Sequence, residues 1–159
     1  MGVPTTTKPL AQLAQILSGG TPSRKNQECW NGTIPWATAK DMKRRRLSDT
    51  QEHLSQKGLE EGSRVAEPGA VLMLVRGMTL HDDVPICQVV EPMAFNQDVK
   101  AIVPSQELDP DYLFYSLLSH KPKLLSLTDS ASHGTGRIQT SVLKQLQIRV
   151  PPILQQKRT

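Results

Sequence analysis

The stretch Ala94-Phe95-Asn96-Gln97-Asp98-Val99-Lys100-Ala101-Ile102-Val103-Pro104 is the most informative part of this chain. Its second half, Val99 to Val103, is rich in β-branched residues and predicts a strand. Upstream, the turn Glu67-Pro68-Gly69 leads into the apolar run Ala70 to Val75. That run has the length and composition of a buried strand. The middle of the chain therefore predicts a β-sheet with a covered face.

Strand and helix signals are mixed along the rest of the sequence. Further strands are predicted at residues 34–38, 84–90 and 147–150, and Pro35 places the first of them at a sheet edge. Helices are predicted over residues 10–17, ended by Gly19-Gly20, from Asp109-Pro110 onward, and over residues 141–146. Strands outnumber helices and alternate with them. This arrangement indicates an α+β fold.

Short motifs stand at characteristic intervals around the opening stretch. They are Ser18-Gly19-Gly20-Thr21-Pro22-Ser23, Ile34-Pro35-Trp36 with Lys40-Asp41, Glu67-Pro68-Gly69, Gly134-Thr135-Gly136-Arg137, and Val150-Pro151-Pro152-Ile153 with Gln155-Gln156. In this order and spacing they resemble a target recognition domain of a type I restriction–modification specificity subunit. The resemblance extends from about Leu10 to Gln156 and implies a compact domain of twisted, mixed β-sheet with a few packed helices. We therefore expect residues 1–159 to form a single DNA target recognition domain without spacer helices.

The resemblance also implies a function. In that family a specificity subunit carries two recognition domains separated by long helices, and each domain reads half of a split DNA target. The subunit also docks the methyltransferase subunit and, through it, the restriction subunit. We expect this chain to read one half of such a double-stranded DNA target and to direct a partner adenine methyltransferase and endonuclease. A protein–protein adaptor or an anti-restriction decoy derived from the domain is the alternative.

The chain ends at Gln155-Gln156-Lys157-Arg158-Thr159, about where the resemblance would place the first spacer helix. The spacing function and much of the docking to a methyltransferase are therefore open. A truncated form, a gene fragment and a half-subunit remnant are all compatible with this sequence.

Positive charge is unevenly distributed along the chain. The net charge is +4 and the isoelectric point about 9.2, which makes an anionic partner plausible. Residues 24–46 and 121–159 carry net charges of +5 and +6, whereas residues 70–120 carry −5. The predicted DNA contacts in the first basic segment are Lys25, Lys40, Lys43, Arg44, Arg45 and Arg46. Such side chains neutralise phosphates and can place an arginine against a guanine edge, while a solvated surface is the alternative.

A second group of predicted DNA contacts comprises Arg76, His133, Gly134 and Arg137. Arg76-Gly77 follows the buried strand, and glycine permits an unusual backbone angle or a close approach to a ligand. The run His133 to Arg137 lacks the Gly-Lys-Ser/Thr ending of a Walker loop. Its backbone N–H groups and Arg137 can still hold a phosphate. An exposed arginine beside a turn is the alternative.

Asn96 and Gln97 have side chains that can bind adenine in a bidentate manner. The motif is typical of the resembled family, whose members read different sequences, whereas a base-reading residue should vary with the target. We therefore predict a structural role for both, with Phe95 in the core. Trp30 and Trp36 are predicted to pack rather than to stack on bases.

The sequence predicts no catalytic residues, metal site or cofactor. Cys29 and Cys87 lack metal-ligand spacing, and His81-Asp82-Asp83 has no accompanying ligand cluster. Asp129, Ser132 and His133 are nearly adjacent, whereas catalytic triads come from distant segments. A small hydrolase built on the His133 loop is a weaker alternative. With no long apolar run and no secretory signal, we expect a cytoplasmic protein without a membrane partner.

Overall fold

The computed structural model of the protein describes residues 4–130 and 134–158. The strands in this part of the chain are β1 (Thr6–Pro9), β2 (Ala14–Ser18), β3 (Trp30–Ala37), β4 (Arg46–Leu47), β5 (Glu52–Leu54), β6 (Val65–Ala66), β7 (Val71–Leu74), β8 (Arg76–Gly77), β9 (Ile86–Val89), β10 (Met93–Phe95), β11 (Val99–Pro104), β12 (Asp129–Ser130), β13 (Gly136–Arg137) and β14 (Gln147–Val150). The α-helices are α1 (Gln56–Gly62), α2 (Pro110–Ser119), α3 (Lys121–Ser126), α4 (Thr140–Lys144) and α5 (Ile153–Gln156). Short 3₁₀ helices cover Leu10–Gln12, Gln27–Cys29, Ala39–Asp41 and Met78–His81. The α+β fold predicted from the sequence is confirmed.

A five-stranded sheet forms the centre of the fold, in the order β2-β11-β7-β9-β4. Strand β11 is antiparallel to both β2 and β7, and β4 is parallel to β9. Alternate residues of β7 enter two different apolar clusters, with Val71 and Met73 in one and Leu72 and Leu74 in the other. Successive strand side chains point to opposite faces, so an all-apolar strand indicates a sheet covered on both sides. The buried strand predicted over residues 70–75 is confirmed.

Three smaller sheets surround the central one. A four-stranded sheet has the order β5-β3-β10-β6, a three-stranded sheet the order β12-β13-β8, and β1 pairs with β14. Strand β10 is parallel to β3 and antiparallel to β6, so this sheet is also mixed. The small sheets extend the framework beyond the central core and support the loops that carry the basic residues.

Helix α2 begins where the sequence predicts. The Asp109 carboxylate accepts a hydrogen bond from the Tyr112 N–H at 3.1 Å, and Pro110 occupies the first turn. A capping carboxylate of this kind satisfies one of the free N–H groups at a helix start. Leu113, Phe114 and Leu117 are the buried residues of the helix and belong to the larger apolar cluster.

Two sequence predictions are wrong. Residues 10–17 form a 3₁₀ turn followed by β2 rather than a helix, because pairing with β11 determines their conformation. Strand β3, predicted at an edge, lies between β5 and β10. Pro35 is tolerated there because β10 pairs with β3 only at Trp36 and Ala37, beyond the proline. Tertiary pairing overrides local signals in both cases.

Two of the motifs that carried the family resemblance pack against each other. The Gly20 N–H donates to the Phe95 carbonyl at 3.0 Å, and the Thr21 hydroxyl donates to the Gln97 side-chain oxygen. A Cβ added at Gly19 would lie 2.2 Å from the Phe95 carbonyl oxygen, so this approach requires glycine. The Asn96 side chain accepts from the Asp98 N–H at 3.0 Å, and Phe95 is fully buried. The structural roles predicted for Phe95, Asn96 and Gln97 are thus observed.

Candidate nucleic-acid interface

The densest run of positive charge, Lys40 to Arg46, forms an exposed loop that we call the basic loop. The 3₁₀ helix Ala39–Asp41 starts it, and Thr38 caps that helix in a capping box with Asp41. The Arg45 carbonyl accepts from the Gln88 N–H at 2.7 Å, which joins the end of the loop to β9. The backbone is therefore held at both ends, while the side chains from Lys43 to Arg46 are exposed.

The cations of the basic loop differ in their neighbours. Among the described residues, Lys43, Arg44 and Arg45 form no ion pair, whereas the Lys40 ammonium lies 4.0 Å from a Glu52 oxygen. Arg46 is placed against α2, and its guanidinium donates to the Tyr115 hydroxyl at 3.4 Å. Lys43, Arg44 and Arg45 are therefore the members whose charge is most available to an anion, and Arg46 also anchors the loop.

A second basic element is the antiparallel pair of β8 and β13, which we call the arginine ladder. Arg76 lies opposite Arg137, and Gly77 lies opposite Gly136. Gly77 has φ of 153°, a region that side chains rarely adopt, as the sequence analysis anticipated. A Cβ at Gly136 would lie 2.8 Å from the Leu80 Cβ and 3.2 Å from the Gly77 carbonyl oxygen, so this glycine permits the close approach of β13 to β8 and the following 3₁₀ helix. The structure thus brings together Arg76 and Arg137, which are distant in sequence.

The loop before β13 is joined to the segment after β8. The His81 imidazole lies with its Nε2 atom 2.6 Å from the Gly134 carbonyl oxygen. Gly134 is exposed, with φ of 74°. His133, the other predicted contact in this loop, lies outside the described residues. The predicted contact Gly134 therefore adjoins the arginine ladder, to which Arg137 belongs.

The two arginines of the ladder have different electrostatic surroundings. The Arg137 Nε atom lies 3.3 Å from an Asp129 oxygen, and the Gln139 amide donates to the other oxygen at 2.7 Å. The hydrogen bond from Gln139, followed by that from Arg137, lowers the pKa of Asp129. Arg76 is exposed and forms no ion pair with any described residue. Burial raises the pKa of nearby Asp98, and the charge of Arg76 opposes that rise.

A cleft connects the basic loop with the segment that follows the arginine ladder. Its volume is about 470 Å³, and the residues that line it include Lys43, Arg44, Arg45, Thr79 and Asp83. Thr79 belongs to the 3₁₀ helix Met78–His81, which directly follows Gly77, so the cleft extends from the basic loop to the segment next to the arginine ladder. We call the basic loop, the cleft and the arginine ladder together the cationic face.

Lys25 is connected to the basic loop only indirectly. Its neighbour Arg24 donates to Glu52 at 2.5 Å, and Glu52 is also the carboxylate nearest to Lys40. The hydrogen bond from Arg24, with the charges of Arg24 and Lys40, lowers the pKa of Glu52. Lys25 itself is exposed. It lies beside this charge cluster and does not line the cleft.

Arg24 is a residue whose role the sequence analysis missed. Its guanidinium carbon lies 4.1 Å from the Trp30 ring centre and 5.0 Å from that of Trp36. The two indoles meet edge to face at 5.0 Å, and Trp36 is only 1% exposed. A regular strand would hold side chains six residues apart at about 20 Å from each other. The register of β3 against β5 shifts between Trp30 and Ile34, and this irregularity, for which the sequence gives no signal, brings the two rings together. The predicted packing role of both tryptophans is observed.

No group of three or more potential metal-ligating side chains occurs within residues 4–130 and 134–158. In the same part of the chain, no helix is both long and apolar enough to span a bilayer. The chemistry that the described surface offers is the binding of anions by clustered guanidinium and ammonium groups.

Comparison with known proteins assigns the chain to a family. The fold and the cationic face define an α+β domain with a surface suited to a polyanion. The sequence profile of the type I restriction modification DNA specificity domain matches residues 3–159. The chain therefore belongs to this family of DNA specificity domains.

Two curated relatives indicate how much of a longer protein the chain matches. It is 27% identical over 153 residues to the type I restriction enzyme EcoR124I/EcoR124II specificity subunit of Escherichia coli, covering 95% of this chain and 38% of that protein. It is 30% identical over 159 residues to the MjaIX specificity subunit of Methanocaldococcus jannaschii, covering 94% of this chain and 35% of that protein. The chain thus spans little more than a third of the length of these relatives.

Solved structures share the fold. The HsdS subunit from Thermoanaerobacter tengcongensis superposes with a TM-score of 0.74 at 19% identity, covering 99% of this chain and 36% of that one. A type I system S subunit from M. genitalium gives a TM-score of 0.63 at 14% identity, covering 92% of this chain and 34% of that one. The architecture described above is therefore one that these two subunits contain.

Proposed function

We propose that this chain is a single, non-catalytic DNA target recognition domain of a type I restriction–modification specificity subunit. It reads one half of a bipartite double-stranded target and directs a partner adenine methyltransferase and endonuclease to it. The supporting observation is that the family match covers residues 3–159 while the chain corresponds to little more than a third of a whole specificity subunit. Genomic DNA as the substrate makes the cytoplasm the expected compartment.

The cationic face is the proposed DNA-binding surface. Lys43, Arg44 and Arg45 bind backbone phosphates, since their charges have no acidic partner among the described residues and flank an open cleft. Phosphate contacts of this kind fix the orientation of a protein on the duplex without reading sequence. Arg76 and Arg137 do not line the cleft, but Arg76 precedes the 3₁₀ helix that supplies Thr79 to its lining, and the two arginines complete the proposed positive surface.

The remaining predicted contacts have smaller roles in DNA binding. Lys25 and Lys40 extend the phosphate-binding surface beside Glu52, and Arg46 contributes mainly by holding the basic loop against α2. Gly134 allows close approach of the loop backbone to the duplex, and His133 adjoins it in sequence. Base modification belongs to the partner enzyme, which must extrude the adenine from the stack before transferring a methyl group.

The proposal is tested by transplanting the chain into a complete specificity subunit in place of one native recognition domain. The hybrid is expressed with its methyltransferase subunit, and methylated adenines are mapped across the host genome. We expect one half of the methylated target to change and the other half to stay as in the parent. An assembled, active hybrid that methylates the parent target unchanged would show that this chain does not determine sequence, and would favour the adaptor function.

A further inference from the structure

An exposed apolar side chain directly follows the arginine ladder. Met78 is 63% exposed and directly follows Arg76-Gly77. The exposed large apolar residues among the described residues are Met78, Val90, Tyr115, Ile153 and Leu154. Of these, Met78 belongs to the segment that connects the arginine ladder with the cleft. A single exposed methionine needs no explanation by itself. What distinguishes Met78 is that it directly follows Arg76-Gly77 of the arginine ladder.

The backbone on both sides of Met78 is held in place. Before it, Gly77 has a φ of 153°, and the chain turns there from β8 into the 3₁₀ helix. After it, Leu80 is 1% exposed, and the His81 ring is bonded to the Gly134 carbonyl oxygen. Met78 is therefore the exposed apolar residue of a turn that is anchored in the core and to the opposite loop. A contact made by its side chain would have a defined position relative to Arg76.

We infer that Met78 reads a thymine in the DNA half-site through contact with the 5-methyl group in the major groove. This inference rests on the proposed function. The thymine methyl is the apolar feature of the major-groove edge of the bases, and apolar side chains recognise it by contact. Methionine suits this role because its unbranched thioether adapts to irregular apolar surfaces. Arg76, two residues before Met78, and the basic loop, which shares a cleft with Thr79, bind the flanking phosphates.

The test uses the intact chain and a duplex carrying the half-site found by methylation mapping. Each thymine in turn is replaced by deoxyuridine, which lacks only the 5-methyl group, and the dissociation constant is measured at one fixed salt concentration. For the wild-type chain, we expect affinity to fall about fourfold at one position, the equivalent of one buried methyl group. Met78→Ala should bind the thymine duplex about fourfold more weakly and be indifferent to the replacement.

Two further variants serve as controls. Met78→Leu keeps an apolar contact and should retain part of the discrimination between thymine and deoxyuridine. Arg76→Ala should weaken binding to both duplexes by the same factor, because phosphate contacts carry no base information. Circular dichroism establishes that each variant is folded, as expected for changes at exposed side chains.

Several results would overturn the inference while leaving the proposed function intact. The first is that Met78→Ala binds with wild-type affinity. The second is that Met78→Ala loses affinity equally for the thymine and deoxyuridine duplexes, as for a residue wedged between bases. The third is that the half-site contains no thymine. Failure of the wild-type chain to bind its half-site in isolation, together with an unchanged target in the hybrid, would instead contradict the proposed function and this inference with it.

Discussion

Arg76 lies directly opposite Arg137 in the antiparallel pair of β8 and β13. Like charges in such cross-strand positions are destabilising, so this ladder positions two cations at an energetic cost to the isolated chain. The Asp129 carboxylate offsets the positive charge of Arg137, while Arg76 has no ion pair within the described residues. An anion that binds between the two arginines relieves the repulsion, which links the geometry of the ladder to its proposed role.

We predict that Asp129→Asn strengthens duplex binding at low salt by roughly two- to fivefold, because it removes a negative charge beside Arg137. The hydrogen bonds from Gln139 and Arg137 lower the pKa of Asp129, so the wild-type carboxylate is charged at neutral pH. The difference between variant and wild type should therefore be present at neutral pH and vanish as the pH falls through the lowered pKa. Fluorescence anisotropy with a labelled duplex measures it, and equal affinities at neutral pH would argue against a role for Arg137.

The triple variant Lys43→Ala, Arg44→Ala and Arg45→Ala should weaken duplex binding strongly and keep the fold, because these side chains are exposed. If each contacts one phosphate, the slope of log affinity against log salt should fall by about 2.7, or roughly 0.9 for each lost contact. A control variant removes the same number of charges elsewhere, at Lys144, Arg149 and Lys157. Equal effects of the two triple variants would mean that net charge, rather than the basic loop, governs binding.

Gly19→Ala should destabilise the protein by about 1–3 kcal/mol, the usual range for an overpacked interior position. The added Cβ would meet the Phe95 carbonyl oxygen at 2.2 Å, and that backbone atom cannot rotate away. Gly134→Ala is the matched comparison, since nothing lies within 4 Å of its Cβ position and only its positive φ opposes alanine. Urea unfolding should rank Gly19→Ala as the less stable variant, and the reverse order would contradict the packing described here.

Burial raises the pKa of the Cys87 thiol to about 12. A group with a raised pKa in the folded state contributes full stability below its unfolded pKa, and that contribution is lost as pH rises toward the folded value. At about pH 10 the loss from Cys87 amounts to about 1.4 kcal/mol, because the unfolded thiol is ionised and the folded thiol is not. Unfolding free energies of the wild type and Cys87→Ala should therefore converge above pH 9, and parallel curves would exclude this linkage.

The elements that the sequence predicted correctly depend on local signals. The apolar run of β7 and the Asp109-Pro110 start of α2 are each signalled by residues that lie next to one another in the sequence. The helix prediction for residues 10–17 is wrong for a different reason, because the apolar spacing there fits a helix as well as a strand. Ile16 packs against one apolar cluster and Leu17 against another, which reflects their place between the two faces of the central sheet. Only the partner strand β11, about 85 residues away in register, settles the conformation.

The candidate site follows the same rule. Sequence alone identified the cations of the basic loop, because charge density is a local property. It did not reveal that Arg46 contacts Tyr115, which is 69 residues away, or that Arg24 lies over two indole rings. Long-range contacts of this kind determine which charges remain available to a ligand, and composition carries no information about them.

Strand β1 runs antiparallel to β14, with Thr6 beside Val150 and Pro9 beside Gln147. A force that pulls the chain apart at Thr6 and Val150 therefore acts across the end of a two-stranded ribbon. It opens the hydrogen bonds one after another, as in a zipper, rather than shearing all of them together. Mechanical resistance at this point is consequently low, and the ribbon yields before the central sheet bears tension. A pulling force applied through these two strands therefore opens the ribbon and leaves the cationic face undistorted.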